Sequence, residues 1–328
     1  MTKRKIWVDW MKGLGMLCII WGHCFPDGMS AFIYAFNVPV FFIISGFLTR
    51  RESSMGICFD KVLHNLIIPY FILAFIKAAG YMLGHLTDGQ ALWSAVAIIG
   101  GFHSLFDAAG CSNLWFVYTL IVIRFVYQLM SGRRLLLILL SLAGALVYNH
   151  LGLDWSWAVT NVLLALPFFM LGNWLAGQTA FLSQTKALAG RPLWLWTAVV
   201  VCIAVTFAVS WPNGSARMYM NQYGNSFMLF AVGALTGSMA VYLISLALDG
   251  CDHAWLRTFS AGSLVTLVFH RELLHPLLKW IRQQDFDIVT HNVAIFLSAC
   301  LVALAFVPII MIVKRIFPVV LGRRAKSI

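Results

Sequence analysis

The sequence predicts an all-α protein, a polytopic membrane bundle of about ten transmembrane helices forming one domain over residues 1–328. Three observations predict it. Apolar residues make up 61% of the chain and charged residues 11%, against about 45–50% and about 25% in a soluble domain, and mean hydropathy is +0.85. Stretches long enough to cross a hydrocarbon core of about 30 Å, which takes about 17–25 helical residues, recur along the chain. The basic residues collect on one side of those stretches, as the positive-inside rule requires. Too few polar residues remain to coat soluble domains, so a soluble enzyme, a disordered chain and a disulfide-stapled fold are all excluded. The seven cysteines stand singly, with no spacing suited to a metal, and read as small apolar residues.

The spans follow from the chain in order. The first, 7–25, begins after Lys3-Arg4-Lys5, and Asp9 and Lys12 with no small-residue cleavage site favour a retained helix over a signal peptide. The second, 31–49, carries Asn37 ahead of Pro39, where a kink is expected, and stops at Arg50-Arg51. Span 63–84 starts past Lys61, 114–130 opens on Leu114-Trp115-Phe116, and 135–152 follows Arg133-Arg134. Then come 158–176, 193–210 after Arg191, 227–248, 259–280 after Arg257, and 292–313 ahead of Lys314-Arg315. The apolar segment 92–105 does not fit as a crossing, because it would invert every later basic loop. It is expected to be re-entrant or interfacial, with Gly100, Gly101, His103 and Asp107 facing a wet cavity.

Alternation from a cytoplasmic N-terminus puts both termini in the cytoplasm, with seventeen of the 23 basic residues. Arg217, Lys279 and Arg282 fall outside, and Lys77, Arg124 and Arg271 within spans. The net charge of +11 therefore reflects membrane topology and implies no nucleic acid.

Ionisable groups inside a bilayer cost a few kcal/mol, so each is a functional candidate. Lys12 and His23 are eleven residues apart, about three helical turns and about 16 Å, and so share a face. That face suits a long anionic donor entering from the cytoplasm with its reactive end at the histidine. Asp9 lies one turn before Lys12, where it can hold the ammonium. A lone Lys at a helix entrance also serves as a topology anchor, and a lone His also bonds across helices; the shared phase is what joins the two. Asn37 is expected at the level of His23. Ser263, Thr266 and His270 form a polar stripe on the ninth span, beside Arg271, Glu272 and His275, where Glu272 is expected to pair with Arg271 or His275. Arg124 is deep enough to attract a phosphate or carboxylate.

Lys12-x10-His23, Phe36-Asn37-Val38-Pro39 through Leu48, Asn65 to Tyr70, Leu114-Trp115-Phe116 and the stretch 263–270 together closely resemble the integral-membrane acyltransferase-3 family. The resemblance implies about ten helices in a bacterial inner membrane and movement of an acyl group, commonly acetyl and sometimes succinyl, onto exported glycans. It implies that His23 is the essential histidine and Lys12 its basic partner, and that acyl-coenzyme A is the donor, with no permanently bound cofactor. Where many members carry two arginines before the third span, this chain has Lys61 and His64, which keep the spacing with one permanent charge.

On that reading His23 takes a proton from the acceptor hydroxyl or accepts the acyl group itself. Asn37 or His270 stabilises the oxyanion. Lys12, Lys61, His64, Arg50 and Arg51 meet the donor phosphates, and Asp9, Ser263, Glu272 and Arg124 orient the site. The expected partners are acyl-coenzyme A, a glycan or lipid-linked sugar, and membrane lipids. Transport or flipping of a small polar molecule or lipid-linked intermediate is the alternative, since it also needs intramembrane charge and a wet cavity; no second segment resembles residues 7–48.

Overall fold

The computed structural model describes residues 4–102, 109–153 and 157–322. Among them the chain is helical throughout, its extended pairing limited to two isolated bridges. Helix α1 is Ile6–Gly22, and α2 (Ser30–Phe36) and α3 (Pro39–Leu48) form one bent span. Helix α4 (Met55–Val62), a wide π turn (Leu63–Ile67) and α5 (Ile68–Gly84) run on as a single segment of 30 residues. There follow α6 (Gln90–Gly100), α7 (Trp115–Met130), α8 (Arg134–His150), α9 (Val162–Leu175) and α10 (Thr179–Ala189). The last are α11 (Pro192–Asn213), α12 (Phe227–Ala247), α13 (Ala254–Ala261), α14 (Ser263–Ile281) and α15 (Ile288–Ile316).

Each of the ten expected spans coincides with a helix or a broken helix. Among the described residues six segments are long and apolar enough to cross a membrane, or seven if α9 and α10, bent by 81°, count as one. The shortfall from ten has local causes. Helices α1 and α8 have 17 residues each, and α14 carries Arg271, Glu272 and Lys279. Residues 177–189, expected as a loop, instead hold α10, which turns Phe181 and Leu182 toward a cavity shared with α1 and α3.

The alternation of spans is visible in which loops meet. At the basic end, Trp7 N donates to Asp249 Oδ1 at 2.8 Å, and Glu52 N and Gln128 Oε1 meet at 3.0 Å. At the far end, Asp27 N donates to Asn292 Oδ1 at 3.0 Å and Asn149 Nδ2 to the Asn221 carbonyl at 2.6 Å. Each pair joins segments expected on one side. Helix α6 does not cross. Its start bonds back through Ala91 N to the His85 carbonyl at 3.2 Å, and its end through the Ile98 carbonyl to Tyr70 Oη at 2.7 Å. It therefore runs antiparallel to α5 and turns at Gly101 (φ 75°), a left-handed conformation glycine adopts without strain. Of the residues expected to line that turn, His103 and Asp107 lie outside the described residues.

Without a hydrophobic driving force between helices in lipid, close backbone approach has to hold them together. Helices α3 and α9 achieve this at two glycines. A Cβ on Gly46 would lie 1.9 Å from the Phe169 carbonyl oxygen, and one on Gly172 1.8 Å from that of Ile43. Because α3 begins at the break that holds Asn37, this contact fixes the cavity wall. Gly172→Ala is expected to cost about 1–3 kcal/mol through overpacking, read as a lowered melting temperature in detergent. Gly80→Ala, which meets nothing within 4 Å, should leave the melting temperature level or raised.

Candidate functional site

Helix α1 ends where the chain reverses: the His23 amide still bonds the Ile19 carbonyl at 3.1 Å, and Phe25 then takes a left-handed φ of 53° ahead of Pro26. His23 thus hangs from a helix terminus at the far end of the bundle. Helix α14 brings His270, 0% exposed, against it. His23 Nδ1 and His270 Nε2 are 2.6 Å apart. The ring planes differ by 15° with centroids at 4.8 Å, so the rings meet edge to edge, in line with the hydrogen bond.

The backbone of α14 decides the direction of that bond. His270 Nδ1 lies 2.9 Å from the Thr266 carbonyl and 3.0 Å from that of Leu267, and both oxygens accept. A neutral imidazole has one N–H and one bare nitrogen, so the network assigns the His270 proton to Nδ1 and leaves Nε2 as acceptor. His23 must then donate from Nδ1. Its Nε2 is left without a proton.

His23 lines a cavity of about 340 Å³ that opens toward the far end, with Ile19 beside it on the same face of α1. Asn37 stands at the α2–α3 break, where Pro39 lacks an N–H and restarts the helix. Its side chain is buried, and Oδ1 has no hydrogen-bond partner. A buried acceptor without a partner is uncommon, and here it lies in the wall of the cavity. Gly22 lets the two segments approach, since a Cβ there would lie 3.0 Å from Asn37 Nδ2. Asn113, whose Nδ2 donates to the Leu267 carbonyl at 3.2 Å, lines the opposite side with Trp115 and Phe116.

The other sequence candidates scatter. Lys12 shares the His23 face but not its cavity. Met16 (2% exposed) and Ile19 (6%) fill the face between them, so the two residues border no common passage in this structure. Asp9 does not hold Lys12. Its carboxylate takes Arg4 Nε at 2.6 Å, a second Arg4 nitrogen at 2.8 Å and Ser260 Oγ at 2.6 Å, tying α1 to α13. Lys61 pairs with Glu52 at 2.6 Å, and His64 turns back to the Asp60 carbonyl at 2.8 Å. Arg50 and Arg51 are exposed at the basic end. Arg124 donates to Thr49 Oγ1 at 2.9 Å, fixing the chain after α3 at that end.

On α14 two expectations change. Glu272 pairs across helices with Lys77 of α5, whose long side chain reaches it, rather than with Arg271 or His275. His270 lies behind His23 with Nε2 already engaged, and cannot donate to an oxyanion in the cavity. Ser263 starts the helix about 10 Å from His270 along the axis and takes no part. The stripe contributes instead through the Thr266 carbonyl. Sequence reading passed over Tyr34, Asn113, Arg217 and Tyr219 as site residues. Tyr34 carried the signal of a polar group within a span and Asn113 stands just ahead of one; Arg217 and Tyr219 sit in a loop with no periodicity to place them.

A helical membrane bundle with a histidine pair at the base of a cavity is the class these features define. A sequence model described as an acyltransferase domain matches residues 5–312, and the chain belongs to the acyltransferase-3 family of membrane acyltransferases. It is similar to the inner membrane protein YcfT of Escherichia coli (strain K12), 26% identical over 209 residues, which cover 53% of this chain and 57% of YcfT. The chain thus matches little more than half the length of that relative. No solved structure matches. Diethyl pyrocarbonate, which acylates bare imidazole nitrogens, should modify His23 and spare His270 in the folded protein, as read by peptide mass spectrometry; preferential modification of His270 would reverse the assigned order of the pair.

Proposed function

We propose that the protein moves an acyl group, most simply acetyl, from acyl-coenzyme A to a hydroxyl of a glycan or lipid-linked sugar presented at the far end of the bundle. The observation that carries this reading is that His23, its Nδ1 engaged by His270 at 2.6 Å, lines a cavity. Attack of an alcohol on a thioester requires a base for its proton, and a neutral imidazole whose other nitrogen is engaged is suited to the task. In the transfer, the acceptor O–H proton goes to His23 Nε2 and the oxygen bonds to the thioester carbonyl carbon. The C–S bond then breaks and the leaving thiolate recovers the proton as coenzyme A thiol. The same lone pair could take the acyl group first, giving an acyl-imidazole that the acceptor resolves. Asn37, in the cavity wall, is the proposed oxyanion donor, a role that requires its amide to turn so that Nδ2 points inward. His270 is a positioning residue that fixes the ring and proton of His23.

Charge supports the placement of the donor. Lys12, Arg50 and Arg51 lie toward the basic end, the cytoplasmic side under the positive-inside rule, and suit the phosphates of coenzyme A. For a thioester to reach His23 from there, Met16 and Ile19 have to move aside. Met16 is an unbranched side chain able to do so. The protein would then sit in a bacterial inner membrane with both termini cytoplasmic, in keeping with the name of its relative.

The test is acyl transfer by the purified full chain in lipid nanodiscs, with mass spectrometry of surface glycans from cells with and without the gene. His23→Ala should lower transfer by about 10²-fold or more with normal membrane insertion, and Lys12→Ala should chiefly weaken coenzyme A binding. Full transfer by His23→Ala would remove the assigned mechanism, and an unchanged coenzyme A dissociation constant would reduce Lys12 to a topology anchor.

A further inference from the structure

Two arginines line the His23 cavity, and neither has an ionic partner among the described residues. Arg217 comes from the loop between α11 and α12, and Arg271 from α14, next to His270. Arg271 donates to Ser112 Oγ at 3.2 Å, a neutral hydroxyl. Arg217 has no side-chain partner among the described residues, and no acidic side chain among them lines the cavity. The nearby carboxylates are committed elsewhere: Glu272 to Lys77, and Asp27 to His291 at 3.2 Å.

The backbone that carries Arg217 is also held in place, although the side chain itself is exposed. That backbone pairs with Gln222, through Arg217 N to the Gln222 carbonyl at 2.8 Å and Gln222 N to the Arg217 carbonyl at 3.1 Å. The turn between them is fixed by Asn221, 0% exposed, whose carbonyl accepts from Asn149 Nδ2 at 2.6 Å and whose Nδ2 donates to Thr160 Oγ1 at 3.0 Å. Three separate segments thus fix the backbone that carries Arg217, an exposed side chain on a cavity that Arg271 also lines. Guanidinium is the side-chain group best matched to carboxylate and phosphate oxygens, which it binds in a planar, two-pronged contact. Trp115, Tyr219 and Tyr34 supply aromatic faces beside the arginines, suited to the apolar face of a sugar ring.

We infer that the acceptor is an acidic sugar, its carboxylate or phosphate held between Arg217 and Arg271 while its hydroxyl meets His23. The inference rests on the proposed acyl transfer for the identity of the reactant, and on the arginines for its charge. The charge belongs to the acceptor rather than to the acyl group because Arg217 stands on the far-end loop, on the side opposite the donor's expected entry.

Binding separates the two layers. Glucuronate, glucose 1-phosphate, glucose and succinate are titrated into the full chain in detergent by calorimetry or thermophoresis. Wild type should prefer the two acidic sugars to glucose by about tenfold or more, equivalent to about 1.4 kcal/mol, and the preference should shrink with rising salt. Arg217→Gln and Arg271→Gln should each bring the ratio toward one, with Arg217→Lys keeping part of it. Arg217 lies in a loop rather than a packed helix, so its variant keeps the test readable should Arg271→Gln fail to fold. His23→Ala should retain the preference while losing transfer, so a failed transfer mechanism leaves the charge selection measurable. Equal binding of glucuronate and glucose by wild type, a ratio unmoved by both arginine variants, or tighter binding of succinate than of either acidic sugar would overturn the proposal, the last by placing the charge on the acyl group.

Discussion

The hydrogen bond between His23 and His270 is the interaction on which the site depends, and its direction is set by backbone rather than by any charged group. The Thr266 and Leu267 carbonyls fix the proton on His270 Nδ1, and that choice propagates through one ring to the next. The network thereby leaves a free lone pair on Nε2 of His23, a residue that lines the cavity, by means of two uncharged rings in a region where an ion would be costly. A carboxylate in the place of His270 would orient His23 equally well but would add a buried charge needing its own partner. The helix supplies the same orienting effect at no ionic cost.

Placement of that bond depends on how α1, α3 and α14 are held. The contact of Gly46 and Gly172 with opposing backbone locks α3 to α9, and the break before Pro39 then leaves Asn37 beside Gly22 at the level of the histidine. At the basic end, Asp9 joins α1 to α13 through Arg4 and Ser260, just ahead of α14. Both histidines are therefore anchored at the opposite end of the helices from the cavity they serve. Between the two ends, Met16 and Ile19 close the α1 face. Under the proposed transfer, access of a donor from the basic end is then a conformational step of the kind that gates many enzymes.

The spans were legible because hydropathy and basic flanks are strong, additive signals; all ten mark helices, while of the segment 92–105 the described part, to Phe102, runs antiparallel to α5. His23 was legible from its phase with Lys12, and Asn37 from its place before Pro39. What escaped the sequence were long-range pairings. Nothing local reveals that Lys77 answers Glu272 across 195 residues, or that Asp9 prefers Arg4 and Ser260 to the lysine one turn away. His270 was found, but its role changed, because a stripe on one helix does not say whether a residue faces the cavity or the ring in front of it. Helix α10 was missed since its mixed polar and apolar residues carry neither the length of a span nor the punctuation of a loop. Arg217 lay hidden in a loop whose position depends on Asn149, Thr160 and Asn221.

The central claim is most directly tested by nitrogen-15 NMR of the protein labelled at histidine and reconstituted in nanodiscs, with His23→Gln and His270→Gln to assign the signals. The account predicts a proton on Nδ1 of both rings and an unprotonated Nε2 on His23. A proton on His23 Nε2, with Nδ1 bare, would contradict it, since the nitrogen facing the cavity would then have no lone pair to offer.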